Sequence, residues 1–390
     1  VTLVATRLAD TVAGLFGGEL PVGLRTWDGG FAGPADAPVV VLRSPLALRH
    51  LLWAPGELGL ARAYVTGHLD VEGDLADGFR RVWAAGTGGP GLPELARGAR
   101  ALLGLGVAGP RPPIPASEAR LRGRLHTRGR DRDAIAHHYD LSNDFYSLIL
   151  DPSMAYSCAK WAPGDDLASA QRRKLDLVCA KLGLGPGTRH LDVGCGWGSM
   201  VLHAAGYGAE SVGVTIAAEQ QAFVRARGGE VRLQDYRDVS DGPYDAISSI
   251  EMGEHVGEEN YPVYASALFG LVRPGGRVVV QQMSRGADAP GGGPFIERYI
   301  APDMHMRPVG RTVAMFEDAG FEVLHVEGMR EDYAKTVRAW YDTFESRYDE
   351  AVALVGEEVA RVWRLYLVGG GLAFESGRMS VHQITLGRPS

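Results

Sequence analysis

From about residue 133 to the end, short apolar runs alternate with stretches of helical period. ASAQRRKLDLVCAKLGL (168–184) reads as a helix, and TRHLDVGC (188–195) as a strand entering a glycine-rich turn. ESVGVTI (210–216), EVRLQDY (230–236), PYDAISSI (243–250) and GGRVVVQQMS (275–284) read as four further strands, with helices between them. Strands alternating with helices predict a doubly wound parallel sheet. Residues 1–104 have a different texture. PVVVLRS (38–44) predicts a strand, and LALRHLLW (46–53) a helix with a stripe of Leu48, Leu51 and Leu52. This segment reads as a smaller α+β domain without catalytic spacing, suited to lipid docking or oligomerisation. Between the two lies 105–132, a linker that opens on the stiff GPRPPIP. The expected organisation is therefore 1–104, 105–132 and 133–390.

Composition narrows the class. A chain of 390 residues with 45% hydrophobic and 22% charged positions is a folded protein of more than one domain. Forty basic against 47 acidic residues leave a net charge of −7, which argues against a nucleic-acid binder. The linker runs against that balance, with seven arginines from Arg111 to Arg132 against Glu118 and Asp131. It is either a solvated connector or a contact for anionic lipid head groups, where each basic residue contributes about 1 kcal/mol. Arginine far outnumbers lysine, as in GC-rich bacterial coding sequences. The three cysteines, Cys158, Cys179 and Cys195, form no CxxC pair, so a reducing cytoplasm is expected. Arg7 and Asp10 interrupt the first apolar stretch, which rules it out as a signal-peptide core. The apolar run 101–109 is far shorter than the roughly 20 residues of a membrane span, so the chain is expected to be soluble or membrane-peripheral. His137 and His138 are adjacent and would diverge by about 100° on a helix, so no metal site is expected. Cys179 and Cys195 read as packed thiols.

The strongest local signal is HLDVGCGWGS (190–199). A buried strand carrying Asp192 near its end runs into Gly194, Gly196 and Gly198, which let the backbone approach a ligand closely. The spacing is not that of the dinucleotide GxGxxG. It resembles the first motif of the Rossmann-like class I S-adenosylmethionine methyltransferases, in which this loop cradles the methionine end of the cofactor. The resemblance implies that Thr215 and Gln220, after the second strand, hold the ribose, in place of the usual acid. It also implies that Asp235 and Tyr236 lie at the adenine and that Trp197 packs beside the cofactor.

Further blocks resemble the cyclopropane-fatty-acyl-phospholipid synthase family, including its mycolic-acid-modifying and methylene-forming relatives. They are HHYDLSNDFYSLILDPSMAYSCAKW (137–161), EMGEHVG (251–257), FIERYIAP (295–302) and DYAKTVRAWYDTF (332–344). The resemblance spans about residues 60–390. It implies methyl transfer from S-adenosylmethionine to a cis double bond of a phospholipid acyl chain, through a carbocation and without a metal. Such a site must align the alkene with the methyl group at about 3–3.5 Å and exclude water. Aromatic faces steady a cation by about 2 kcal/mol when desolvated. Tyr139, Phe145, Tyr299, Tyr333, Trp340 and Tyr341 are the candidates, each also open to ordinary core packing.

The family's base is a bound bicarbonate. The resemblance implies that Cys158, Glu254 and Tyr333 hold it, that His255 orients Glu254, and that Tyr156 and Ser157 join the cofactor set. Where the family has a histidine after the fifth strand, this chain has Gln281, with Met283 as the backbone neighbour. Glutamine donates and accepts hydrogen bonds but does not titrate. An altered base favours a 1,2-hydride shift and an exo-methylene product of the 10-methylene stearoyl type, reducible by a partner enzyme. Direct ring closure to a cyclopropane is the alternative. Other classes remain open, namely a small-molecule N- or O-methyltransferase and a non-catalytic lipid-binding protein. The expected setting is the inner face of the cell membrane, with an anionic surface and a homodimer.

Overall fold

The structure, a computed structural model, describes residues 4–16, 18–85, 100, 104–105, 107–119, 127, 129–130, 141–289 and 291–390. Tyr139, His137, His138 and much of the arginine-rich stretch lie outside the described residues. The chain forms two compact units, one of Val1–Glu118 with Val355–Leu372, the other of Ala119–Leu354 with Ala373–Ser390. The segment Val355–Leu372 thus groups with the N-terminal part, which differs from the 1–104, 105–132 and 133–390 organisation expected.

The first unit holds helices α1 (Val4–Ala13), α2 (Pro45–Trp53), α3 (Glu57–Val65) and α4 (Leu75–Ala85). Its sheet has the order β2-β1-β3-β4, from β1 (Gly23–Arg25), β2 (Phe31–Ala32), β3 (Val39–Leu42) and β4 (Leu69–Glu72). The strand and helix expected at 38–44 and 46–53 are β3 and α2. Arg62 meets Glu118 in a buried two-pronged pair at 2.7 and 2.8 Å. Arg361 lies 4.0 Å over the Tyr64 ring and donates to the carbonyls of Tyr64 and Leu69. That arginine ties the late segment into this unit, a contact invisible in local sequence.

The second unit begins with α5 (Asn143–Ile149) and α6 (Leu167–Leu182). Helix α6 starts at a capping box between Asp166 and Ser169 and stops at Gly183 in the left-handed region, φ 69°. Then follow β5 (Arg189–Val193), α7 (Ser199–Gly206), β6 (Glu210–Thr215), α8 (Ala218–Ala226), β7 (Glu230–Leu233) and β8 (Tyr244–Ile250). The remainder includes α9 (Tyr261–Leu271), β9 (Val272–Arg285), α10 (Pro294–Tyr299), α11 (Val309–Asp318), β10 (Glu322–Gly328), α12 (Arg330–Ser346) and, after further helix, β11 (Met379–Gly387). The sheet order is β10-β11-β9-β8-β5-β6-β7.

Successive strand residues point to opposite faces, and both faces are covered. Ile247, Val278 and Val280 pack with Tyr261, Leu268 and Phe316 on one side. Ala246 and Val279 pack with Leu175, Val178 and Met200 on the other. The five anticipated strands, β5 to β9, pair parallel. The all-parallel expectation needs correction at one edge, where β11 runs antiparallel to both β9 and β10. Those two strands interleave His325, Glu327, His382 and Gln383 with apolar residues, so they lack the continuous apolar run that marks a strand buried on both faces. The order reverses at β5, which places a crevice beyond the carboxyl ends of β5, β6 and β8, where open α/β sheets bind ligands.

Candidate active site

The glycine loop leaves β5 at that crevice. Gly194, Gly196 and Gly198 all have positive φ, at 76°, 54° and 80°. Their reasons differ. A Cβ on Gly194 would lie 2.7 Å from Met252, and one on Gly198 2.7 Å from Val224, so both permit close packing. A Cβ on Gly196 would meet nothing within 4 Å, and Gly196 lines the pocket. That glycine keeps room for a ligand. The pocket is also lined by Gly194, Thr215, Gln220, Asp235, Tyr236, Glu251 and His255.

Behind the loop, Asp192 ends a buried relay. Ser248 donates to Asp192 at 2.5 Å, and its hydroxyl lies 2.9 Å from His190 Nε2. His190 Nδ1 lies 2.8 Å from the Ser211 hydroxyl. Burial pushes the His190 imidazole down to about 3, so it is neutral. With Ser248 donating to Asp192, Nε2 carries the imidazole proton and Nδ1 accepts from Ser211. Burial pushes the Asp192 carboxyl up to about 6. On the other wall, the Thr215 hydroxyl donates to Gln220 Oε1 at 2.9 Å. Asp235 is clasped by Arg237, at 2.8 Å from Nε and 2.6 Å from Nη2. Tyr236 stands edge-on to Tyr264.

A second group sits where β8, β9 and α12 converge. Its centre is Glu251, which follows β8 directly and which sequence reasoning passed over. Glu251 Oε1 accepts from the Cys158 backbone N–H and from Gln281 Nε2, both at 2.8 Å. Oε2 accepts from the Tyr333 hydroxyl at 2.6 Å. Glu254 is fully buried, and its Oε1 accepts from the Met283 backbone N–H at 2.5 Å. Its Oε2 has no hydrogen-bond partner among the described residues. Burial, then the neighbouring Glu251, pushes the Glu254 carboxyl up to about 8. Near neutral pH, Glu254 therefore holds a proton. Burial also raises Glu251, but its three donors and the Lys174 ammonium oppose that shift. Those donors favour the ionised form of Glu251.

Lys174 was also missed. It is fully buried on α6 and donates to the Ser157 hydroxyl at 3.0 Å. Burial lowers its pKa, while Glu251, Asp151 and Asp192 pull the other way. It is a basic group placed among buried acids. The available signal was a lysine on the α6 face shared with Ala170, Gln171, Leu175 and Val178. Cys158 contributes through its backbone. Its thiol is fully buried against the carbonyls of Ala159 and Met329, and burial pushes it well above the usual thiol range.

Aromatic rings adjoin this group. Tyr156 lies 5.2 Å from Trp340, and Tyr146 lies 4.4 Å from Trp197. Tyr333 stacks on Phe374 at 4.3 Å and meets Trp340 edge-on at 6.1 Å. Phe145 is buried edge-on to Tyr146. Tyr299 sits on α10 against Phe295, and Tyr341 is partly buried on α12. Tyr146 and Phe374 belong to this aromatic set, although sequence reading did not single them out.

A reversed sheet edge on a glycine-loop α/β fold, with a pocket at the strand ends, defines the class as a methyltransferase of the S-adenosylmethionine-binding kind. Residues 126–384 match the family model for mycolic acid cyclopropane synthetase, and the chain belongs to that family. The Mycobacterium tuberculosis protein named "Probable fatty acid methyltransferase Rv3720" is 39% identical, over 94% of this chain and 91% of its own length. Tuberculostearic acid methyltransferase UfaA1 of the same species is 33% identical, over 94% of this chain and 88% of its own. The crystal structure of the mycolic acid cyclopropane synthase CmaA1 with SAH and CTAB superposes at a TM-score of 0.62. It is 31% identical over 65% of this chain and 97% of its own. This chain is a lipid methyltransferase dependent on S-adenosylmethionine. The open space at Gly196 and the hydroxyl and amide at Thr215 and Gln220 fit that cofactor. The expected bicarbonate fits less well, because Cys158 N–H, Gln281 and Tyr333 are already used by Glu251.

Proposed function

We propose that the protein methylates the cis double bond of an unsaturated acyl chain of a phospholipid and converts it to a methylene-branched chain. S-adenosylmethionine supplies an electrophilic methyl group. The glycine loop, Thr215, Gln220, Asp235 and Tyr236 bind and orient it. Tyr156, Trp197, Tyr333 and Trp340 offer aromatic faces to a cationic carbon and keep water out. The observation that carries this reading is a buried carboxylate, Glu251, at the rim shared by the cofactor pocket and the aromatic group. An isolated alkene needs an electrophile, a dry cationic site and a base, and these residues answer all three. The name of the UfaA1 relative, a tuberculostearic acid methyltransferase, supports a branched product over a ring. Gln281 in place of a histidine supports it too. The cyclopropane product is the alternative.

The N-terminal unit would dock on an anionic membrane, and its exposed Trp53 and Leu60 support this. Among the described residues, no helix is long and apolar enough to cross a membrane. A reductase would act on the product, and a homodimer is the expected assembly. The test is incubation with S-adenosylmethionine and vesicles of oleoyl or fully saturated phospholipid, then olefin-specific cleavage and mass spectrometry of the acyl chains. A cleavable branched product from oleoyl lipid alone is expected. Methylation of a small amine or alcohol, with lipid untouched, would overturn the reading.

A further inference from the structure

We infer that Glu251 is the base of this enzyme and that its own carboxylate stands where the resemblance led us to expect a bound bicarbonate. The inference rests on the alkene-methylation reading and deepens it.

A carboxylate and a bicarbonate present the same planar O–C–O edge, so they compete for the same donors. Of the four residues expected around the external anion, Cys158, Glu254, Gln281 and Tyr333, three offer donors to Glu251: the Cys158 N–H, the Gln281 side chain and the Tyr333 hydroxyl. All three grip Glu251, at 2.8, 2.8 and 2.6 Å.

Gln281 is part of the same device. Its Oε1 accepts from Gln383 Nε2 at 3.1 Å, and Gln383 Oε1 accepts from Lys181 Nζ at 2.5 Å. Lys181 has only protons to give, so it fixes the Gln383 amide, which fixes the Gln281 amide. The Gln281 NH2 is thereby aimed at Glu251 and the Cys158 carbonyl. The Gln281 NH2 suits an acceptor, and Glu251 Oε1 accepts from it at 2.8 Å. The departure from histidine and the presence of Glu251 thus explain each other.

The backbone agrees. Glu251 has φ 53°, a left-handed conformation that a non-glycine residue keeps only where the surroundings hold it. Three hydrogen bonds and the nearby Lys174 hold it here. Three donors favour the carboxylate of Glu251, while burial raises its pKa and strengthens it as a base.

Methyl transfer leaves the cation on the neighbouring carbon, a 1,2-hydride shift brings it to the methyl-bearing carbon, and one C–H bond of the new methyl group then breaks. Its electron pair forms the second bond of the exo-methylene at the cationic carbon, and the proton passes to Glu251. The carboxylic acid then returns the proton to solvent before the next turnover. No external base is consumed.

The experiment measures methylation of oleoyl phospholipid vesicles in buffer stripped of carbon dioxide, with and without added bicarbonate. The wild-type rate is expected to stay unchanged. Glu251→Gln is expected to lose about 10²–10⁴-fold in rate while still binding S-adenosylmethionine in calorimetry. A wild-type rate that collapses without bicarbonate and returns with it overturns the assignment while leaving the lipid reading intact. So does an E251Q enzyme of near wild-type rate. No lipid product at any bicarbonate concentration overturns the lipid reading and the base with it. The wild-type titration needs no variant to fold.

Discussion

Tyr333→Phe isolates one bond to the carboxylate. The substitution removes the hydroxyl that donates to Glu251 Oε2 at 2.6 Å and keeps the ring. Its stack on Phe374 and its edge contact with Trp340 remain, so packing changes little. A hydrogen bond to a charged group contributes about 1.5–3 kcal/mol, equivalent to roughly 10- to 150-fold. That bond favours the ionised carboxylate and lowers the Glu251 pKa against the rise from burial. Without it, the carboxyl stays protonated to higher pH. The acid limb of the pH–rate profile should therefore move to higher pH. Rates on that limb should fall by up to the factor above, and rates well above it should approach wild type. Stability follows the same sign. The variant should lose most, about 1.5–3 kcal/mol in urea unfolding, where Glu251 is charged, and least in acid, where it is neutral. A uniform fall in rate with an unmoved acid limb would refute this account of Tyr333.

Further outcomes follow from the same geometry. Glu254 binds its proton more tightly folded than unfolded, so its contribution makes stability fall as pH rises from about 4.5 towards about 8. Glu254→Gln should flatten that fall in pH-dependent urea titrations, and equal slopes in both proteins would contradict it. Gly196→Ala should cost only about 1–2 kcal/mol of stability for its positive φ but weaken S-adenosylmethionine binding more than tenfold in calorimetry. Gly198→Ala adds a contact 2.7 Å from Val224, so thermal melting should show the larger stability loss there. Cys158→Ala should cost about 1 kcal/mol of stability yet keep most activity, because the N–H to Glu251 survives. Loss of activity with the fold intact would assign the thiol a role of its own.

Much of the fold was legible because five strands are apolar runs bounded by glycine and helix signals. The edge strands β10 and β11 were not, since their polar residues blur that pattern. The glycine loop was legible for a different reason: its spacing is itself the chemistry. The base group was half legible. Cys158, Gln281 and Tyr333, spread from 158 to 333 along the chain, bond to a residue not chosen, while Glu254 accepts from the Met283 N–H. EMGEHVG offered two glutamates, and only the left-handed turn at Glu251 decides which faces the pocket. A long-range fact of that kind leaves no local trace. Lys174 was hidden similarly, because a lysine on a mostly apolar helix face is ordinarily solvated at its tip.

The most direct measurement uses S-adenosylmethionine with a fully deuterated methyl group and oleoyl phospholipid vesicles, with mass spectrometry before and after olefin cleavage. The account predicts that the acyl chain gains a CD2 unit, one deuteron having left for the base, and that cleavage removes that unit as an exo-methylene. A chain that keeps an intact CD3 would show that the proton is taken from elsewhere, and would contradict the account.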